Sequence, residues 1–338
     1  HLELTAGAAG CWVADSMRIL IIGAGSIGER HLRNFLRIDG VQCSFVEPNE
    51  ARRAEISAAY DAQHAFEQWT DADPDDFDGT VVCTPANHHV PLVAQLLDNG
   101  VTGILCEKPL ATESGGIAEL KQKIQARSAS VGIAFCFRHH PVFVELRDRF
   151  LQGDLGEARA AFGFTSQYWP AMRPFWPPQY AVRRETGGGA LSDHVVHLIN
   201  FLEWTLGAVE SVSAFQRHME LPDISTEDAG TISMRFAGGQ IAVLTICLYQ
   251  RNIQSQFELV GDTSTARIRL GADRLQIYRD ASGDWEDGTA HDLDRDGIFL
   301  LQAKHFMACL RGEMEPRCTV AEAEQTLHTI LAAVESSD

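Results

Sequence analysis

Nowhere in the 338 residues is there an uninterrupted apolar run of the roughly 18 to 20 residues that a membrane-spanning helix needs. The start of the chain also lacks a basic segment followed by an apolar core, so neither a span nor a secretory leader is expected. There is no CxxC pair and no dense cysteine cluster. The eight cysteines (Cys11, Cys43, Cys83, Cys106, Cys136, Cys247, Cys309 and Cys318) stand singly in apolar runs and read as buried thiols of a reducing compartment, the cytoplasm. Basic residues are in deficit, 28 against 46 acidic ones, and no basic stripe offsets the net charge of −18; nucleic acid and anionic membrane are therefore poor partners. The pairs His88-His89 and His139-His140 have no carboxylate or cysteine at a ligand spacing, so no metal is expected. Internal repeats and low-complexity linkers are missing too.

What remains is an ordinary packed chain, 45% hydrophobic and 22% charged, too long for one core and suited to two domains or to one with a large appended sheet. Residues His1 to Ser16 resemble neither a strand nor an amphipathic helix and read as an extension ahead of Met17. From Met17, short apolar runs (Arg18 to Ile22, Cys43 to Val46, Gly79 to Cys83, Gly103 to Cys106, Ser130 to Phe137) alternate with helical stretches (Ile27 to Leu36, Ala51 to Ala59, Val90 to Asn99, Gly115 to Ala126), which predicts a parallel sheet. After Pro141 a helix over Val142 to Leu151 is expected. Strand-like runs then follow without intervening helices: Ala158 to Ser166, Val209 to Arg217, Gly230 to Phe236, Gln240 to Tyr249, Gln256 to Val260, Thr265 to Leu270 and Arg274 to Tyr278. Two closing helices are expected around Phe299 to Leu310 and Val320 to Glu335. The predicted class is α/β plus α+β, with a doubly wound parallel sheet at 17–137 and an open, mostly antiparallel sheet flanked by helices at 138–338.

Strand Ile19 to Ile22 runs directly into Gly23-Ala24-Gly25-Ser26-Ile27-Gly28, where helical spacing begins. Three glycines there allow a tight turn, close approach of backbone to a pyrophosphate and close packing of helix on strand, with the helix N-terminus facing the anion. Glu47 closes the next strand nineteen residues after Gly28, where a carboxylate accepts hydrogen bonds from ribose hydroxyls and repels a 2′-phosphate. NAD is therefore expected over NADP, although Arg52 and Arg53 just downstream leave NADP open.

Further motifs follow in order: Thr84-Pro85 at a strand end with His89 beyond it, Glu107-Lys108-Pro109 after another strand, then Gly187-Gly188-Gly189 with Asp193 and His197. Together with the first glycine turn they resemble the glucose-fructose oxidoreductase, inositol dehydrogenase and MocA family over Met17 to about Ser337. The resemblance implies a Rossmann domain, a second domain with an open sheet, and homodimers or homotetramers packed through that sheet. It also implies a nicotinamide cofactor contacted by Gly23, Gly25, Ser26, Ile27, Gly28, Glu47, Thr84, Pro85, His89, Glu107 and Lys108. Ser26 to Asn34, and Tyr168-Trp169-Pro170 through Arg173-Pro174, look like a bacterial subgroup of sugar and nonulosonate pathway dehydrogenases. The chain departs from the family at Val195, often glycine, and at Asn200, where aspartate is common, so cleft shape and substrate choice are expected to differ.

Oxidation of an alcohol needs a group to take the hydroxyl proton, a donor to steady the oxygen and a fixed distance to the nicotinamide carbon. Lys108 follows an apolar strand at the carboxyl edge of a parallel sheet, where ligands bind in such folds, and Pro109 holds it extended. On the helix from Gly189 to Leu206, at about 100° per residue, Leu191, Val195, Leu198, Leu202 and Leu206 form one stripe, with Asp193, His197, Asn200 and Trp204 opposite. Asp193 and His197, one turn apart, are expected to act as orienting carboxylate and general base; the resemblance supports His197 as base and Lys108 as holder of the oxygen, and leaves open which of the two moves the proton.

The substrate side is read at Arg138, Tyr168, Trp169, Arg173, Arg183 and His197, where aromatic faces stack on sugar C–H groups and arginines clamp anionic groups. The aromatic and arginine segment serves equally as a subunit interface, and Arg138 equally as a tie between domains. The expectation is an NAD-dependent dehydrogenase of a sugar, cyclitol or sugar derivative. A glycosidase that oxidises its sugar transiently and a dinucleotide sensor without chemistry are the alternatives.

Overall fold

The computed structural model describes residues 16–172, 177–269, 271, 274–291, 293–294 and 296–337. Two sheets organise it. The first has six parallel strands, β1 (Met17–Ile22), β2 (Val41–Val46), β3 (Ala65–Phe66), β4 (Gly79–Val82), β5 (Gly103–Cys106) and β6 (Ser130–Ile133), in the order β3-β2-β1-β4-β5-β6. Helices α1 (Ser26–Phe35), α2 (Glu50–Ala59), α3 (His89–Asp98) and α4 (Ile117–Arg127) make the crossovers. The order reverses between β1 and β4, which leaves a crevice at the carboxyl ends of those strands. The β1 residues Ile19 to Ile22 are all buried, as the unbroken apolar run requires of a strand covered on both faces.

The second sheet has eight strands: β7 (Ala158–Tyr168), β8 (Val209–Arg217), β9 (Ala229–Phe236), β10 (Ile241–Cys247), β11 (Tyr249–Gly261), β12 (Ser264–Arg269), β13 (Arg274–Arg279) and β14 (Asp284–Ala290). Its order is β14-β13-β12-β11-β7-β10-β9-β8, antiparallel throughout except that β10 runs parallel to β7. Helices α5 (Pro141–Leu151), α6 (Val196–Leu206) and α8 (Val320–Ser337) cover one face. Strand alternation sends Leu244, Ile246, Phe257, Leu259, Ile268 and Ile277 toward that side. Gly163 has no side chain because a Cβ would meet Leu244 at 2.5 Å and Leu198 of α6 at 3.4 Å. The other face carries Phe162, Phe215 and Ile241 in the open, 45%, 81% and 50% exposed.

Several boundaries differ from expectation. The run from Ser130 to Phe137 ends as a strand at Ile133 and turns through a 3-10 segment, Cys136–His139. The run from Gln240 to Tyr249 is two strands that part around buried Leu248, whose carbonyl accepts from the Trp169 amide. Strands β3 and β14 were not legible, β3 being two residues long and β14 a polar segment with one large apolar residue, Trp285. The last difference concerns α7 (Gly297–Leu310), which belongs to neither end of the second sheet. It packs on α1 and on the first sheet: Gly79 and Gly103 are bare because a Cβ there would meet Leu310 at 2.6 and 2.2 Å.

A buried polar cluster fastens α6 to α8. The Glu203 carboxylate accepts from the hydroxyls of Thr326 and Thr329, and Asn200 donates to Thr326 at 3.0 Å. Burial pushes the Glu203 carboxyl up to about 7 from an ordinary 4.5. An acid raised on folding holds its stability below the unfolded value and loses it as pH climbs through the folded one. Thermal unfolding should therefore show the two proteins diverging between pH 4.5 and about 7, Glu203→Gln gaining on wild type by about 3 kcal/mol at pH 8. Parallel pH profiles for the two proteins would contradict this.

Candidate active site

The turn after β1 is shaped by clearances. A Cβ on Gly28 would lie 1.7 Å from the Gly23 carbonyl oxygen, and Gly23, at φ +94°, sits under the Cys83 carbonyl. Gly25 differs: among the described residues, its own chain neighbours apart, no atom lies within 4 Å of the position its Cβ would take, and its φ of −66° suits any residue. Its neighbour Ser26 opens α1, so bare backbone and a helix N-terminus face open space together, with Ile27 next on the helix. Glu47 borders this cradle, its Oε2 accepting from the Ala24 amide at 3.1 Å and Oε1 from the Asn49 amide at 3.0 Å. The arginines that left NADP open are engaged. Arg52 donates to the Ala24 carbonyl and pairs with Glu29 and Glu55, and Arg53 donates to the Glu47 carbonyl at 2.6 Å. Across the crevice the hydroxyl of Thr84, just after β4 and before exposed Pro85, is buried without a partner among the described residues. An open cradle, an orphaned hydroxyl and a pinned carboxylate fit a dinucleotide without a 2′-phosphate. Gly25→Val should accordingly keep the thermal midpoint of wild type while lowering NAD affinity about 100-fold by fluorescence titration, since each 1.4 kcal/mol is tenfold. Unchanged affinity would remove this loop from the cofactor site.

His89 and Glu107 were expected to touch the cofactor, and the structure turns both elsewhere. The buried His89 ring lies 2.8 Å from the Thr84 carbonyl through Nε2 and 2.8 Å from the Pro109 carbonyl through Nδ1, tying together the loops after β4 and β5. Glu107 is 5% exposed and faces His31 of α1 at 2.8 Å. Lys108 points the other way. Its Nζ donates to Asp193 Oδ1 at 2.5 Å and to the Asp193 carbonyl at 2.7 Å.

Asp193 stands on a π-helical turn, Leu191–Val195, that precedes α6, a local form frequent at functional sites. The glycine triplet brings this turn in: a Cβ on Gly187 would meet Ala86 at 3.0 Å, on Gly188 the Ala181 carbonyl at 2.5 Å, and on Gly189 the Glu227 carboxylate at 2.5 Å. Glu227 then accepts from the Leu191 amide and from Arg184. The expected pairing of Asp193 with His197 does not form. Asp193 spends its carboxylate on Lys108, on the Tyr180 hydroxyl at 3.2 Å and on His194, while the only hydrogen-bonding contact of His197 among the described residues is Nδ1 with Cys136 Sγ at 3.9 Å. Phe137 lies against the imidazole at 5.1 Å and Phe135 meets it edge-on at 6.0 Å. Burial, then the positive charge of Lys108, hold His197 well below its ordinary 6.5, so it is neutral at physiological pH. Burial likewise pushes the Cys136 thiol up to about 12, which keeps it an uncharged neighbour. Cys136 joins the site through a tertiary contact alone, at no readable spacing from Lys108 or His197, whereas Tyr180 lies in the aromatic and arginine segment read for the substrate side.

Two substrate-side expectations need correction. Arg138 is 1% exposed and engaged: Nε donates to Asn200 at 2.8 Å and Nη1 to Glu322 and to the Arg317 carbonyl, so it fastens the segment after β6 to α6 and to the start of α8 and is buried away from a substrate. Trp169 is 1% exposed and packs edge-on against His194 at 4.9 Å, leaving no face for a sugar. Tyr168 is partly exposed beneath the Arg251 guanidinium, 3.8 Å from its ring centre, and Arg183 is exposed. Arg173 lies outside the described residues.

A glycine turn opening a helix at a sheet crevice, with a lysine and a neutral histidine brought together from the two halves, defines a dinucleotide-dependent oxidoreductase. Residues 17–135 match the oxidoreductase family with an NAD-binding Rossmann fold, and 143–267 match the GFO/IDH/MocA C-terminal domain; the chain belongs to this family of NAD-binding dehydrogenases. Among curated relatives, 4-carboxy-2-hydroxymuconate-6-semialdehyde dehydrogenase of Sphingobium sp. is 24% identical over 90% of this chain and 94% of that protein. Inositol 2-dehydrogenase 2 of Paenarthrobacter aurescens is 24% identical over 94% of each chain. Among solved structures, the WlbA dehydrogenase of Bordetella pertussis, in complex with NADH and UDP-GlcNAcA, superposes with a TM-score of 0.81 at 20% identity over 96% of each chain and shares the fold.

Proposed function

We propose that this dehydrogenase moves a hydride between NAD and a hydroxyl-bearing carbon of a sugar, cyclitol or sugar derivative, with Lys108, Asp193 and His197 as its working residues. The observation that carries the reading is the ammonium of Lys108 held at two points by Asp193, beside the neutral imidazole of His197. An ammonium has three protons, and two are spent on Asp193, so the third is free to steady a substrate oxygen. In the tautomer that puts Nδ1–H toward Cys136, the lone pair of Nε2 takes the hydroxyl proton. The nicotinamide, when bound, supplies the hydride acceptor. Phe135 and Phe137 keep water from the base. NAD is favoured over NADP because Glu47 borders the cradle while Arg52 and Arg53 are occupied. Tyr168, Arg183 and, by sequence alone, Arg173 are the groups proposed to face the substrate.

The division proposed is an extension at 1–16, a cofactor domain at 17–137 and a substrate domain at 138–338, the last lending α7 back to the first sheet. Among the described residues no helix is long and apolar enough to cross a membrane, and the scattered free thiols suit a cytoplasmic setting. Copies are proposed to pair through the uncovered sheet face bearing Phe162, Phe215 and Ile241. Replacing Phe162 and Phe215 by Lys should lower the mass seen by sedimentation, whereas an unaltered mass would exclude that face.

The reaction is tested by incubating the protein with NAD and sugars, sugar acids, cyclitols and nucleotide sugars while following NADH absorbance. Stoichiometric NADH supports the proposal. Glycoside cleavage without net NADH would replace it with a transient-oxidation hydrolase, and NAD binding without any turnover would leave a sensor.

A further inference from the structure

The cofactor turn and the catalytic lysine lie on different elements, and one buried pair joins them. His31, on α1 three residues past Gly28, is 0% exposed, and its Nε2–H donates to Glu107 Oε1 at 2.8 Å. A carboxylate has no proton to give, which fixes the tautomer. The other oxygen, Oε2, accepts from the backbone amide of Lys108 at 3.0 Å. Glu107 thus sits between the dinucleotide helix and the reacting lysine with each oxygen bound to one side. The helix is fixed from its far side as well, by Phe299 edge-on to His31 at 5.7 Å and by Arg30 and Arg33 on Asp296.

We infer that His31 is a positioning residue: through Glu107 it sets where Lys108 stands relative to a cofactor laid along α1. This rests on the proposed role of Lys108. Removing the imidazole leaves a buried carboxylate short of a donor, which costs more than the lost bond and is relieved only if Glu107 turns and drags the Lys108 amide with it. A displacement of about 1 Å at a reacting group is worth about 100-fold in rate. Glutamine carries an N–H near the place of Nε2 and restores the link, whereas leucine fills space without it.

The test compares wild type, His31→Leu and His31→Gln. Three quantities are read: kcat against KM, NAD affinity by calorimetry, and the rate at which formaldehyde and borohydride methylate Lys108, followed by peptide mass spectrometry. His31→Leu should lose about 100-fold in kcat with NAD affinity held within about threefold, and its Lys108 should label severalfold faster as it leaves Asp193. His31→Gln should recover most of both. A folded His31→Leu protein with wild-type kcat and labelling overturns the inference, and so does a loss that glutamine fails to rescue. Should His31→Leu not fold, His31→Phe decides: it keeps a ring against Phe299 but offers Glu107 no N–H, so unchanged kcat and labelling there overturn the inference equally. If wild type oxidises no substrate, the proposed reaction fails while the labelling comparison still decides the role of His31.

Discussion

Replacing Lys108 with Met should remove about 10³-fold or more of the turnover rate while NAD binds nearly as in wild type. The side chain keeps its unbranched stem as far as Cε and loses the ammonium, so what disappears is the donor that steadies the reacting oxygen and the cation that Asp193 holds at 2.5 Å. Positioned acid–base groups are worth roughly 10²–10⁴-fold, and an interaction made only with the reacting centre is lost from kcat and kcat/KM together. Calorimetry with NAD and steady-state kinetics with the best substrate check both halves. A variant that turns over at the wild-type rate takes Lys108 out of the mechanism. The same change also alters His197, because the charge of Lys108 helps hold its imidazole down. In any residual activity of Lys108→Met, the acid limb of the pH profile should stand at higher pH than in wild type.

His197→Asn should cost about 10²–10⁴-fold in kcat, and its pH dependence should change with it. The wild-type imidazole is held well below 6.5, so it still accepts a proton when pH falls through 6.5, and the rate should stay level there before declining at more acidic pH. Asparagine does not titrate, so that decline should vanish from the variant. Stability carries the same signature with a defined sign. A histidine lowered on folding binds its proton more readily when unfolded, so its contribution is lost as pH drops below 6.5, and His197→Asn should soften the acid unfolding of the protein. A fast variant that keeps the wild-type acid limb would assign the base to another group.

How far the site could be read in advance differs residue by residue. The strand, glycine turn and helix were legible because their signals are adjacent along the chain, and Glu47 follows the neighbouring strand and reaches the turn. Lys108, Asp193 and His197 were legible as a set but not in their pairing. Helical spacing set Asp193 beside His197, whereas the π turn and the glycine triplet deliver Asp193 to a lysine 85 residues away. Arg138, His89 and Trp169 were misread for a common reason. Sequence lists the groups a side chain carries but not which are already spent, and all three are buried with their polar atoms or faces taken by neighbours.

The sequence by itself determined two alternating textures, hence one parallel and one mostly antiparallel sheet, and a dinucleotide turn at the head of the first, since those depend on residue periodicity and on a few glycines adjacent along the chain. Only the tertiary structure decided that α7 returns to the first sheet, that Asp193 grips Lys108, and that His31 reaches it through Glu107. Such contacts join residues up to hundreds of positions apart, and their energies come from packing and burial, which local pattern does not encode.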